Sequence, residues 1–523
     1  MMRSVLRLLG VVLFVVLPCG ISAQTADPPT HGFDLANVDR TVKPCDDFYQ
    51  FAAGGWIKNN PIPPAYSQWG SFNILHNRNE DALHQILEEA SKDKSAAPGS
   101  NWQKIGDFYA SCMDETAIEA AGIKPLDPEF RRIAAIHDAA SLEAEIARLQ
   151  LQGVNAAFGF GSEVDFKDST RRIAGVSQGG LGLPERDYYT RDDAKSKEIR
   201  DAYVRHVKNM FKLLGDDDAA STGETKAVLA IETSLAKGST GQVDLRDPDK
   251  NYHMTAVARL GELTPHFAWP DYSEFKVDRA PYVENARRGN EYANAYDIAK
   301  IGKAMDRGEW VMTPPTVDAY SRASMNDITF PAGILQPPFF DPNRDDAMNY
   351  GGMGAVIGHE LTHGFDDQGA KFDAQGNLVN WFTPEDLKNF QDRGNCIAKQ
   401  FDGYEVEPGL HTNGKLVEGE SIADFGGLTI AYAALQKALE GKAAPAPIDG
   451  FTADQRFFLG WAQIWESNIR IELSRMYVNV NPHPVARFRV NGPLSNMPAF
   501  AKAFECDTKS PMVRPTGQRC RIW

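Results

Sequence analysis

Residues 358–369 read GHELTHGFDDQG. His359 and His363 are four apart, so on a helix they project from one face, one turn apart. Two imidazoles stacked this way fit two corners of a zinc tetrahedron. Glu360, beside the first histidine, reaches the place where a general base would take a proton from water at the metal. The chemistry this implies is metal-assisted hydrolysis. The bland alternative is a solvated helix face with a few polar residues. Ala355, Val356, Ile357 and Leu361 make the neighbourhood apolar, which suits a buried metal helix better.

Such a site needs a third ligand. In the three-histidine class another histidine lies six residues after the second; that position is Gly369 here, so the class is excluded. A glutamate from a later helix is the other common solution. EGESIADFGGLTIAY (418–432) reads as a helix start with Glu420 and Asp424 at i, i+4. Glu420 could bind the metal, and Asp424 could hold a liganding imidazole in one tautomer. An acidic first turn also suits the helix dipole. For that segment alone the two readings are even, and the HExxH upstream decides for the ligand. Asp366, three residues after His363, is a second candidate partner for an imidazole. In NVNPHPVARFRVNGPLSN (479–496), His483 stands between two prolines and Arg489 follows six residues later. Both could donate to a developing oxyanion or a peptide carbonyl. Taken in isolation, a surface histidine and a structural arginine explain them better.

The elements that must position these groups are mostly helical. Residues 101–114, 198–214, 284–306 and 453–470 carry apolar residues at three- and four-residue spacing. Thr383-Pro384-Glu385 supplies a cap, a first-turn proline and an early acid before the next helix. Strands are expected in NAAFGFGSEVDF, in 328–330 and in GNLVNWF, and KAAPAPIDG (442–450) reads as a linker. The fold class is mainly α, with small sheets in an α+β catalytic lobe.

The chain has 523 residues, 42% of them hydrophobic, and a formal charge of −15. No basic stripe is present to track phosphates, so nucleic acid is not an expected partner. Arg3 and Arg7, the apolar run Leu8–Leu17 and small Ala23 read as a secretory signal over residues 1–23. Its apolar core falls short of the ~20 residues a membrane span needs. A secreted or periplasmic protein without a stable membrane anchor is expected. Cys19 leaves with the signal, and the five remaining cysteines are an odd number, so at least one is not paired within the chain.

These residues resemble the neprilysin and endothelin-converting-enzyme family of zinc endopeptidases, which are gluzincins. The matches are VIGHELTHGFDDQG, GESIAD, FPAGILQPPFF (330–340), NPHPVARFRVNGPLSN, PCDDFYQFAAGGW (44–56), GLGLPERDYY (181–189) and the terminal CRIW. The resemblance runs from about Asp34 to Trp523. It implies one zinc ion held by His359, His363 and Glu420, with Glu360 assisting attack of a zinc-bound water on a peptide bond. Asp424 and Asp366 would orient ligands, His483 would stabilise the intermediate, and Arg489 would hold the substrate carbonyl. Asp318 and Ala319 would hold the substrate backbone. Phe72, Ile334, Phe339, Val356, Ile464 and Trp465 would line a pocket for a large hydrophobic residue just after the cleaved bond. The implied fold is a thermolysin-like zinc-peptidase lobe (308–523) with an N-terminal helical region (34–307).

Departures from the family pattern are informative. An asparagine of the family is Asp318 here, and a carboxylate accepts but does not donate. An arginine that meets a substrate's free carboxyl group falls on Gln68. The resemblance implies the disulfides Cys45–Cys506 and Cys396–Cys520. A third bridge is lost at both ends, where Ala53 and Glu466 stand. The usual partner of Cys112 lies in a segment this chain lacks near 269–272, so the second helical lobe is expected to be truncated. Two readings follow: an active peptidase of oligopeptides, whose part-uncovered cavity admits longer chains, or an impaired relative that binds zinc and peptides without turnover.

Overall fold

A computed structural model describes residues 34–253, 272–279 and 281–522. The signal expected at 1–23 and residues 269–271 of the expected gap lie outside the described residues. Helices dominate, and the described strands form four two-stranded antiparallel sheets. No helix among the described residues is long and apolar enough to cross a membrane.

Local chemistry explains where the helices begin. The Asp47 side chain accepts from the Gln50 amide and opens the helix Phe48–Asn59. Thr383 caps Pro384–Asp402 as its sequence implies, accepting from the Asp386 amide. A reciprocal Thr452–Gln455 capping box opens Ala453–Ile464. Helix ends differ more from the sequence expectation. The helix expected over 284–306 spans Tyr282–Ile298. The one expected over 453–470 stops at Ile464, because Ser467–Ile469 leaves to pair with Gln68–Gly70, with Gln68 opposite Ile469. GNLVNWF is not a strand: the chain turns at Gly376 (φ +86°) and keeps one isolated bridge, Phe372 to Leu378.

The principal core is built from the helices Ala355–His363, Glu418–Leu439, Ala453–Ile464 and Ala486–Leu494, with Phe457, Phe458, Trp461 and Phe500 fully buried. Residues 38–75 join this core, although in sequence they belong to the amino-terminal region. Cys45–Cys506 and Cys396–Cys520 are both formed and tie the two ends of the chain to it, while Cys112 is free. Ala53 and Glu466 are both buried.

One packing detail sets the site. The helices Ala355–His363 and Glu418–Leu439 cross so closely that a Cβ on Gly427 would lie 2.5 Å from the His359 backbone nitrogen. Only glycine permits that approach, and it brings the acids of the second helix to the histidines of the first.

Candidate metal centre and active site

The residues flagged by spacing arrive from several elements. His359, Glu360 and His363 come from one helix, Glu420 and Asp424 from the helix it crosses. His483 lies in the turn before Ala486–Leu494, and Arg489 lies within that helix. One ligand atom from each of His359, His363 and Glu420 lies within 4.8 Å of the others.

The charges around these atoms favour a cation. Nδ1 of His359 lies 3.0 Å from Asp424 Oδ1, and Nδ1 of His363 lies 2.8 Å from Asp366 Oδ2. A proton on His363 Nδ1 is bonded to Asp366, while His359 Nδ1 faces the charge of Asp424 without hydrogen-bond alignment; a proton on each Nδ1 leaves a lone pair on each Nε2. The two Nε2 atoms are 3.0 Å apart, close to the ~3.3 Å edge of a zinc tetrahedron with ordinary Zn–N distances. Glu420 Oε2 is buried and receives no hydrogen bond, although His359 Nε2 stands 3.3 Å away and His483 Nε2 3.2 Å away. Lone pairs and a carboxylate converging in this way hold together around a cation. Burial disfavours charge on His359, yet Asp424 and Glu420 raise its pKa to about 10. The residues present therefore fit zinc.

The orienting acids are themselves fixed. Asp366 accepts the amides of Gln368 and Gly369 through its other oxygen. Asp424 is fully buried and gripped by Arg489, Nε at 2.8 Å and Nη2 at 2.6 Å. Burial opposes its charge, but Arg489 and His359 hold its carboxyl below the ordinary range. Arg489 in turn lies over the Trp465 ring, 3.9 Å from its centroid. Glu360 is buried at the cavity wall, and that burial raises its pKa.

The cavity at the ligands measures about 410 Å³. Phe72, Ile334, Val356 and Trp465 form its apolar side, and Asp318 and Ala319 stand at its rim. Phe339 and Ile464 do not reach this wall. Phe339 packs edge-on behind Phe72, 4.7 Å between ring centroids, and Ile464 lines the adjoining cavity.

Three contributors escape a reading of spacing. Trp461, fully buried, lines the cavity. Asn481 accepts from His483, ring Nδ1 at 2.9 Å, and turns its Nε2 toward Glu420. Arg246, from the helical region, donates to the carbonyls of Lys415 and Leu416 and pairs with Asp367 at 3.3 Å. It thereby ties the loop after the HExxH helix to the start of the Glu420 helix. A Cβ on Gly419 would fall 2.4 Å from its Nη2, so a side chain there would displace the clamp. A short asparagine-proline turn hints at Asn481; nothing local hints at Arg246.

Two family models, both described as peptidase family M13, match residues 44–295 and 318–521. The chain belongs to peptidase family M13. It is 28% identical to endothelin-converting enzyme 1 of Mus musculus, covering 96% of this chain and 89% of that protein. That alignment runs over 691 positions, more than the 523 residues here, so the relative carries residues without a counterpart in this chain. Among solved structures, the Mycobacterium tuberculosis zinc metalloprotease Zmp1 in complex with an inhibitor is 31% identical, with a TM-score of 0.88. The match covers 94% of this chain and 99% of that one. Zmp1 in an open state, at 30% identity and 92% and 100% coverage, gives a lower TM-score of 0.61. The M13 protein described here is a zinc metalloendopeptidase of mainly α fold.

Proposed function

We propose that this M13 peptidase acts outside the cytoplasm, binds one zinc per chain, and cleaves oligopeptides before large hydrophobic residues. The observation that carries the reading is convergence: the ligand atoms, buried Glu360 and the apolar wall of Phe72, Ile334, Val356 and Trp465 share one cavity. Zinc, when bound by His359, His363 and Glu420, supplies Lewis acidity at the scissile carbonyl and acidifies water. Glu360 is placed to take the proton of the attacking water and return it to the leaving amine. His483 and the Arg489 nitrogen that Asp424 leaves uncommitted are placed to donate to the oxyanion and to a substrate carbonyl. Asp424 and Asp366 keep the ring nitrogens turned inward. Both disulfides suit an oxidising compartment.

The test compares the zinc-loaded enzyme with Glu360→Gln on a peptide library, with cleavage positions read by mass spectrometry. Turnover should fall by about 10²–10⁴-fold with zinc still bound at one per chain. Undiminished cleavage in the variant would remove Glu360 from the mechanism. Cuts that ignore hydrophobic residues would remove the pocket assignment.

A second reading, a zinc- and peptide-binding relative without turnover, is favoured by the alignment that outruns the chain. One stoichiometric zinc with no cleavage anywhere in the library would establish it. If the enzyme is active, a missing part of the second lobe leaves the cavity less covered, so long or partly folded substrates should be cut alongside short peptides.

A further inference from the structure

The cleft does not end at the apolar pocket. A second cavity of about 420 Å³ adjoins it and shares Phe72, Asp318, Trp465, His483 and Arg489. Asp318 stands exposed at that junction. Its Oδ1 accepts the neighbouring Ala319 amide at 2.9 Å, and no salt bridge to it forms among the described residues.

The other charges around the junction are engaged. Arg489 is held by Asp424, and Arg487 lies 2.8 Å from Asp47. His483 faces Glu420. Glu466 is buried, its carboxyl driven well above the ordinary range by that burial. Gln68 and Tyr477, farther along the second cavity, are neutral and contact one another at 3.3 Å. Asp318 is thus the exposed carboxylate at the junction without an ion pair among the described residues; burial raises its pKa, while His483 and Arg489, which line the same two cavities, lower it.

We propose that Asp318 is a specificity-determining residue that selects peptides carrying a lysine or arginine one or two positions beyond the apolar residue. The same carboxylate disfavours acidic side chains and a free terminal carboxylate there. Arg489, the guanidinium at the junction, is committed to Asp424 through two of its three nitrogens, so a chain ending at that point finds no fully free cation to pair with. Cleavage should therefore fall inside longer chains and not two residues from their ends. The inference rests on the peptidase reading for which cavity side chains follow the cut.

The experiment uses the zinc-loaded full chain and quenched-fluorescent peptides with one large apolar residue. Lysine, alanine or glutamate is placed at each of the next two positions. The lysine-to-glutamate ratio in kcat/KM should be about tenfold at low salt, falling as salt rises. In Asp318→Asn the ratio should drop to within about twofold, while the same charges placed before the cut change little. A ratio that Asp318→Asn leaves intact, or a preference for glutamate, overturns the proposal. The same peptides are titrated onto zinc-loaded Glu360→Gln by anisotropy, so the charge preference is read in Kd even if no peptide is cut. Failure of cleavage with the binding preference intact counts against the peptidase reading alone.

Discussion

In the helix Ala453–Ile464, Phe457, Phe458 and Trp461 are buried almost completely, whereas in the helices Ala194–Leu214 and Asp218–Gly238, Leu213 and Ile231 are 73% and 61% exposed. The contrast holds along the chain. Among the described residues of 101–298, Tyr188, Tyr189, Val207, Ala236 and Val277 are the buried hydrophobic side chains, while Val176 and Met210 are at least half exposed and Trp102, Ile118 and Phe130 more than a third. Amphipathic helices form to cover an apolar stripe, and here the stripes are made but not covered. The catalytic part is a close-packed core; the helical part is a set of faces. That difference fits the expectation of a missing lobe segment, and it places the packing around the zinc site mainly in the catalytic core, with Arg246 as a tie from the helical region.

The largest effect should separate the two parts directly. Phe457→Ala opens a cavity in the core and should destabilise by about 3–5 kcal/mol. Denaturant melts followed by Trp fluorescence measure it. A loss under about 1 kcal/mol would mean that this core is no tighter than the helical faces.

Arg246 tests whether the parts are nevertheless coupled. It is a long side chain from the loosely packed region that holds both ligand-bearing segments. Arg246→Ala should weaken zinc affinity by about 10–100-fold, read by competition with a chelator, with a far smaller change in Tm. Unaltered zinc affinity would mean that the site is preorganised by the catalytic core alone.

These two residues also mark what the sequence makes legible. The HExxH pair, Glu420 and Asp424 are visible because both pairs obey helical spacing, and helix geometry converts spacing into a shared face. Thr383 is visible because capping is local. The pairing of Gln68–Gly70 with Ser467–Ile469 is not local, and the second strand masquerades as the end of a helix. Arg246 meets Asp367 across more than a hundred residues, and its partners on the other side are backbone carbonyls, which leave no trace in residue type. Ile464 and Phe339 have the right type for a pocket wall, but tertiary packing turned one to the adjoining cavity and the other behind Phe72.

Buried acids sharpen the comparison at a smaller scale. In the helical part, Glu232 receives the hydroxyls of Tyr189 and Tyr203, both at 2.8 Å. In the catalytic part, Glu466 receives one bond, from Asn37 Nδ2 at 2.9 Å, and burial holds its carboxyl well above the ordinary 4.5. The folded state thus keeps a proton that the unfolded chain has released. Its contribution is complete below about pH 4.5 and is lost as pH rises, by up to about 1.4 kcal/mol per unit, until Glu466 ionises in place. Glu466→Gln should flatten stability against pH above 4.5 and raise Tm at neutral pH. An unchanged pH profile would place the proton elsewhere.

The smallest expected effect is the most pointed. Leu213 lies near the end of its helix with most of its surface in water. If that surface is free in solution, Leu213→Gln removes apolar area that folding never buried. Stability should then move by less than about 0.5 kcal/mol, and binding of a hydrophobic dye should fall. If the face is covered, by a second copy or by another part of the chain, the polar side chain must be desolvated without a partner, at about 1–3 kcal/mol. Melts of Leu213→Gln at two protein concentrations distinguish these cases. A destabilisation that grows with concentration of the parent protein identifies a second copy as the cover, and one independent of concentration places the cover within the chain.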